Sequence, residues 1–135
     1  MPIEITPIYA GILALFYVFL SARVIGLRRR LWISVGDKGN QQLLRRQRVH
    51  GNFAEYAPMC LILMIGLELM LAPVWLVHGL GVMLLVGRVL HAYGIGREPE
   101  SLTLRTIGMV LTFAALVIGG LASIILAILM ADFAG

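Results

Sequence analysis

The sequence predicts an all-α integral membrane protein, a four-transmembrane-helix bundle, and three observations carry that expectation. The chain is 60% hydrophobic and only 13% charged, against about 45–50% apolar and 25% charged in soluble domains. Its mean hydropathy is +0.93. Its 135 residues hold four long apolar runs joined by short polar loops. A bilayer span takes about 20 helical residues, so the whole chain, 1–135, reads as one membrane domain with no length left for a soluble one.

Helix one is expected over about residues 7–27. Pro2 and Pro7 suit a helix start, and Arg28, Arg29 and Arg30 close it at a basic edge. The leading MPIEITP contains Glu4 and no basic residue, so it does not read as a removable signal peptide. Gly36-Asp37-Lys38-Gly39-Asn40 is strong turn chemistry, and helix two follows over 41–71, ended by Ala72-Pro73. Roughly 30 helical residues reach about 45 Å, longer than a hydrocarbon core of about 30 Å. Counting about 20 residues back from Ala72 puts Asn52 and Glu55 at or inside the apolar boundary, with Arg45 and Arg46 outside it.

Helix three is expected over 74–93, with Trp75 at its outer end. A loop carrying Gly94, Gly96, Arg97, Glu98, Pro99 and Glu100 leads to Ser101, an N-cap for helix four over 102–130. Gly108, Gly119 and Gly120 supply small surfaces for close helix packing. Lys and Arg crowd the loops after helices one and three and are absent between helices two and three. The positive-inside rule then makes both basic loops cytoplasmic and puts both termini on the opposite side.

Composition also narrows the function. The net charge of +4 comes from basic residues beside apolar spans, without interleaved aromatics, so anionic lipid headgroups or a small anion fit better than nucleic acid. Cys60 is the single cysteine, which rules out an internal disulfide. Neither it nor His50 or His78 has a partner at metal-ligand spacing, so no metal is expected.

The stretch RRQRVHGNFAEYAP, Arg45 to Pro58, holds the densest polar chemistry. On a helix, Arg45, Arg48, Asn52 and Glu55 fall within an arc of roughly 80°, with Tyr56 near it. His50 points elsewhere. Arg23, Arg48, Asn52, Glu55, Arg88, His91 and Arg105 come from four helices but share a depth near the cytoplasmic ends. Ionisable groups inside a membrane are expensive and face a bundle interior or a watered cavity. Arg23, Arg48, Arg88 and Arg105 against Glu55 make a positive pocket suited to a ligand with more than one carboxylate. Such a pocket opening onto lipid suggests an enzyme that joins a polar anionic cosubstrate to an apolar, lipophilic small-molecule substrate from the bilayer. A small transporter or channel is the alternative, and it requires ionisable groups along a whole transmembrane path. Helices one, three and four have essentially none in their outer halves.

Arg48-x-x-x-Asn52-x-x-Glu55-Tyr56-x-Pro58, following the arginine run and opening a membrane helix, resembles the signature of the MAPEG superfamily, the membrane-associated proteins in eicosanoid and glutathione metabolism. Ser21-Ala22-Arg23 is similar to the end of that family's first helix, Leu85 to Tyr93 to the end of its third, and Arg105 to the arginine that opens its fourth. The resemblance implies a bacterial-type inner-membrane member, assembled as a homotrimer, with glutathione bound as cosubstrate between subunits near the cytoplasmic face. It further implies glutathione transferase or peroxidase activity on lipophilic electrophiles or lipid hydroperoxides. Arg23, Arg48, Asn52, Glu55 and Tyr56 would contact glutathione, and Arg88 and His91 match further site positions. Arg105 would be catalytic, stabilising the glutathione thiolate. A non-catalytic member that only binds the ligand is a further alternative. One turn beyond His91, where several members place a tyrosine, this chain has Ile95, and Tyr93 is out of phase with it.

Overall fold

The computed structural model describes residues 3–134, so Pro2 and Gly135 lie outside the described residues. Four helices follow one another: α1 Thr6–Leu31, α2 Gln41–Leu69, α3 Val74–Gly96 and α4 Leu102–Ala134. All four are long and apolar enough to cross a membrane. The fold is an all-α membrane bundle.

The ends differ from the sequence expectation in ways that have local causes. Helix α1 continues four residues past Leu27, through the arginines. Arginine is a good helix former, so a basic edge marks where a helix leaves the hydrocarbon and not where it stops. It closes at Trp32, held in the left-handed conformation (φ 56°) while Ile33 N donates back to Arg28 O at 3.1 Å. Helix α2 stops two residues early in the same way, with Leu71 at φ 58° and Ala72 N donating to Leu67 O at 2.9 Å. Helix α3 runs three residues beyond Tyr93 because Gly94 lies buried against the start of α4 and stays helical. The expected N-cap at Ser101 forms, its Oγ accepting from Leu104 N at 3.4 Å, and Asn40, the last residue of the turn run, caps α2 with Oδ1 accepting from Leu43 N at 2.9 Å.

Helices α2 and α3 make the centre of the bundle. Helix α4 packs along α3 and α2, and α1 along α2 and α3, while α1 and α4 make no contact with each other among the described residues. The apolar core runs through Leu13, Phe53, Ala57, Met64, Leu80 and Leu84. Glycine brings α3 and α4 unusually close. A Cβ at Gly94 would lie 2.6 Å from Arg105 N, and one at Gly108 2.5 Å from His91 N. Gly108 therefore does what was expected of it, whereas Gly120 faces open space.

At its N-terminus α1 has no capping side chain of its own. Glu68 of α2 replaces it, accepting from Glu4 N, Ile5 N and Thr6 N at 2.5, 2.6 and 2.9 Å and from Thr6 Oγ1 at 2.7 Å. The carboxylate satisfies backbone donors that helix starts leave free and suits the positive end of the helix dipole.

Candidate functional site

The polar stripe on α2 divides between two surroundings. Arg48 and Glu55 lie on the exposed face, 3.9 Å apart, with side chains 56% and 53% exposed. Asn52 and Tyr56 are half-buried and turn toward α3 and α4. Deeper along the same stripe come Met59 and Ile62, both exposed. A charged, hydrogen-bonding head thus continues into an exposed apolar surface.

Arg88 lies behind Asn52 and Tyr56, only 1% exposed. Its guanidinium sits 5.6 Å from the centre of the Tyr56 ring, and Tyr56 meets Phe113 edge-on at 5.4 Å. Nη1 donates to Asn52 Oδ1, while Nε and Nη2 donate to Thr112 Oγ1 at 3.0 and 2.7 Å. His91 is buried one turn further along, beneath the close approach of Gly108. The close approaches of Gly108 to His91 and of Gly94 to Arg105 bring these parts of α3 and α4 to one locality.

Arg105, in the first turn of α4, is accessible and donates to Glu100 at 2.7 Å. Glu100 also meets Arg45 at 3.3 Å. The Arg105 hydrogen bond and the nearby Arg45 hold the Glu100 carboxyl below the usual carboxylate range. One of the five N–H donors of Arg105 is engaged in this way, and the others have no acceptor among the described residues.

Arg23 stands apart from this group. It lies on α1, its guanidinium 5.9 Å from the Phe19 ring, and its carbonyl accepts from Arg46 Nη1 at 2.8 Å. It borders a cleft of about 240 Å³ between α1 and α3. Since α1 and α4 do not touch, Arg23 and Arg105 sit on opposite flanks of the α2–α3 pair within one chain. Ile95 is buried in the core, and Tyr93 is 60% exposed with Arg97 over its ring at 5.7 Å.

Three participants escaped the sequence reading: Thr112, Glu100 and Glu68. Thr112 had a signal, because Arg105, Gly108 and Thr112 share one face of α4 at i, i+3 and i+7. His50, set aside as off the stripe, faces α1, where Nε2 lies 2.9 Å from Ser21 Oγ and its ring stacks on Tyr17 at 4.7 Å.

Fold and site together define a four-helix integral membrane protein that carries a cluster of arginines and amide and carboxylate groups at one end of its bundle. The chain belongs to the MAPEG family, whose model matches residues 6–125. It is 35% identical over 120 residues to the inner membrane protein YecN of Escherichia coli strain K12, covering 89% of this chain and 90% of that protein. The YecN protein of E. coli O6:H1 strain CFT073 matches to the same extent. No solved structure matches the chain at a significant level.

Proposed function

We propose that this protein is a glutathione-dependent membrane enzyme, a transferase or peroxidase acting on lipophilic electrophiles or lipid hydroperoxides drawn from the bilayer. The observation that carries the reading is the exposed Arg48–Glu55 pair on a membrane helix, beside Asn52 and Tyr56 and continuous with an exposed apolar surface. Charges in that setting call for a polar partner. Glutathione offers two carboxylates for arginines, an ammonium for Glu55 and a thiol. Membership of a family that includes glutathione transferases and peroxidases supports the same ligand.

Arg48, Asn52, Glu55 and Tyr56 bind the tripeptide in this reading, with Arg88 and His91 behind them. Arg105 acts on the thiol. A cation beside a thiol favours the thiolate, which is the nucleophile that attacks an electrophilic carbon or a peroxide oxygen. Arg23 sits on the other flank of its own chain, so it joins the site from a neighbouring subunit of a homotrimer. The similarity to a bacterial inner membrane protein supports that membrane as the location, with the basic, ligand-binding end in the cytoplasm and both termini opposite.

Mixing the purified protein with glutathione and following ultraviolet thiolate absorbance tests the proposal. Saturable thiolate formation is expected, with turnover of a generic aromatic electrophile or a lipid hydroperoxide. Arg105→Ala should keep binding and lower turnover by about 10²–10³-fold, the usual effect of removing one group that stabilises developing negative charge. Saturating glutathione that gives no thiolate signal and no protection against unfolding would overturn it.

A further inference from the structure

Arg88 is the most deeply buried charge in the bundle, and among the described residues no carboxylate lies within ion-pair distance of it. An unneutralised buried cation costs more than a well-packed apolar side chain, so packing alone gives no reason for it. Its hydrogen bonds are directional. The Thr112 hydroxyl has one hydrogen, directed to Gly108 O at 2.8 Å. Both lone pairs of that oxygen therefore accept from Arg88, at 3.0 and 2.7 Å.

Thr112 reaches Arg88 because α3 and α4 meet through glycine. A Cβ at Gly87 would lie 2.9 Å from Gly108 O and 3.0 Å from Thr112 Oγ1. The guanidinium is thus pinned from the α4 side, and its remaining arm, Nη1, meets the Asn52 side chain on α2. A guanidinium carries donors only, so the Asn52 atom against it is the carbonyl oxygen. The Asn52 amide nitrogen is then turned away from Arg88. It has no acceptor among the described residues, and Asn52 is half-buried, with a way to the surface.

Resting on the glutathione reading, we infer that Thr112 and Arg88 are positioning residues that fix Asn52 as a hydrogen-bond donor to a carboxylate oxygen of glutathione. The chain runs Gly108, Thr112, Arg88, Asn52 across three helices. Its uncompensated charge polarises the Asn52 amide and favours an anionic acceptor over a neutral one. Arg88 itself never touches the ligand.

Calorimetric titration of glutathione into the purified full-length protein in detergent tests this with three variants, each also melted. Thr112→Val, nearly isosteric but without the hydroxyl, is expected to weaken Kd about tenfold, and Thr112→Ser to restore it to within about twofold. Asn52→Asp replaces the donor by an acceptor while pairing better with Arg88. It is expected to weaken Kd by more than about fiftyfold without lowering the melting midpoint. Thr112→Val with a lower melting midpoint but wild-type Kd would reduce Thr112 to a packing residue and overturn the inference. So would Asn52→Asp that binds as the wild type does. A wild-type protein that binds no glutathione removes the ligand reading first, and this assignment with it.

Discussion

Glu55 and Glu68 stand thirteen residues apart on the same membrane helix and are treated in opposite ways. Glu68 is surrounded by donors, three backbone N–H groups and a hydroxyl, all from Glu4, Ile5 and Thr6 where the chain enters α1. Glu55 has one loose partner, Arg48 at 3.9 Å, and a side chain more than half exposed. A carboxylate whose hydrogen bonding is complete within the fold is a structural element. One left open on a membrane-spanning helix is poised for something from outside. Arg88 extends the contrast to the cations, since its donors are engaged internally while those of Arg48 and most of Arg105 are not.

Removing Glu68 should break the comparison on its structural side and give the largest effect. Glu68→Ala strips the N-terminus of α1 of its cap, and a loss of about 2–3 kcal/mol is expected. Thermal unfolding in detergent measures it, and glutathione affinity of the folded protein should be unchanged. Equal losses of affinity and stability would show that the two carboxylates are not separable.

Glu55→Gln tests the other side. An affinity loss of about 2 kcal/mol, roughly thirtyfold, is expected for a charged contact to the ligand ammonium. Stability should move by no more than about 0.5 kcal/mol, as for an exposed pair. A variant that melts early and binds normally would assign Glu55 to the structural class.

Glu100→Gln is the mildest perturbation and concerns pH. The hydrogen bond from Arg105 and the charge of Arg45 hold the Glu100 carboxyl below its usual range. A carboxylate lowered in the folded state contributes stability above its unfolded value, about 4.3, and loses it as pH falls through the folded one. The Arg105–Glu100 pair is therefore intact throughout the neutral range. Replacing Glu100 by Gln removes a negative charge beside Arg105 and should lower the apparent pKa of bound glutathione by roughly half a unit. Thiolate absorbance against pH would register it, and a rise in that pKa contradicts the placement of Arg105 at the thiol.

Much of the fold was legible because membrane spans are written in composition and loops in turn chemistry. Ser101 sits where the sequence puts a cap, and the Gly36–Asn40 turn run ends where α2 begins. The ends of α1 and α3 were not, since Arg28–Arg30 and Gly94 look like terminators in one dimension. Counting depth brought Arg48, Asn52, Glu55, Arg88 and Arg105 to one level but gave no information on facing. Only the packing of Gly87, Gly94 and Gly108 decides that Arg88 turns inward. Glu68 escaped the sequence reading, because a cap contributed from 62 residues away has no local signature.

The measurement that bears most directly on the account is a calorimetric titration of glutathione into the wild-type protein and Glu55→Gln under identical conditions. The account predicts saturable binding to the wild type and a roughly thirtyfold weaker Kd in the variant, both proteins melting together. Absence of binding to the wild type, or equal affinity in the two, would contradict it.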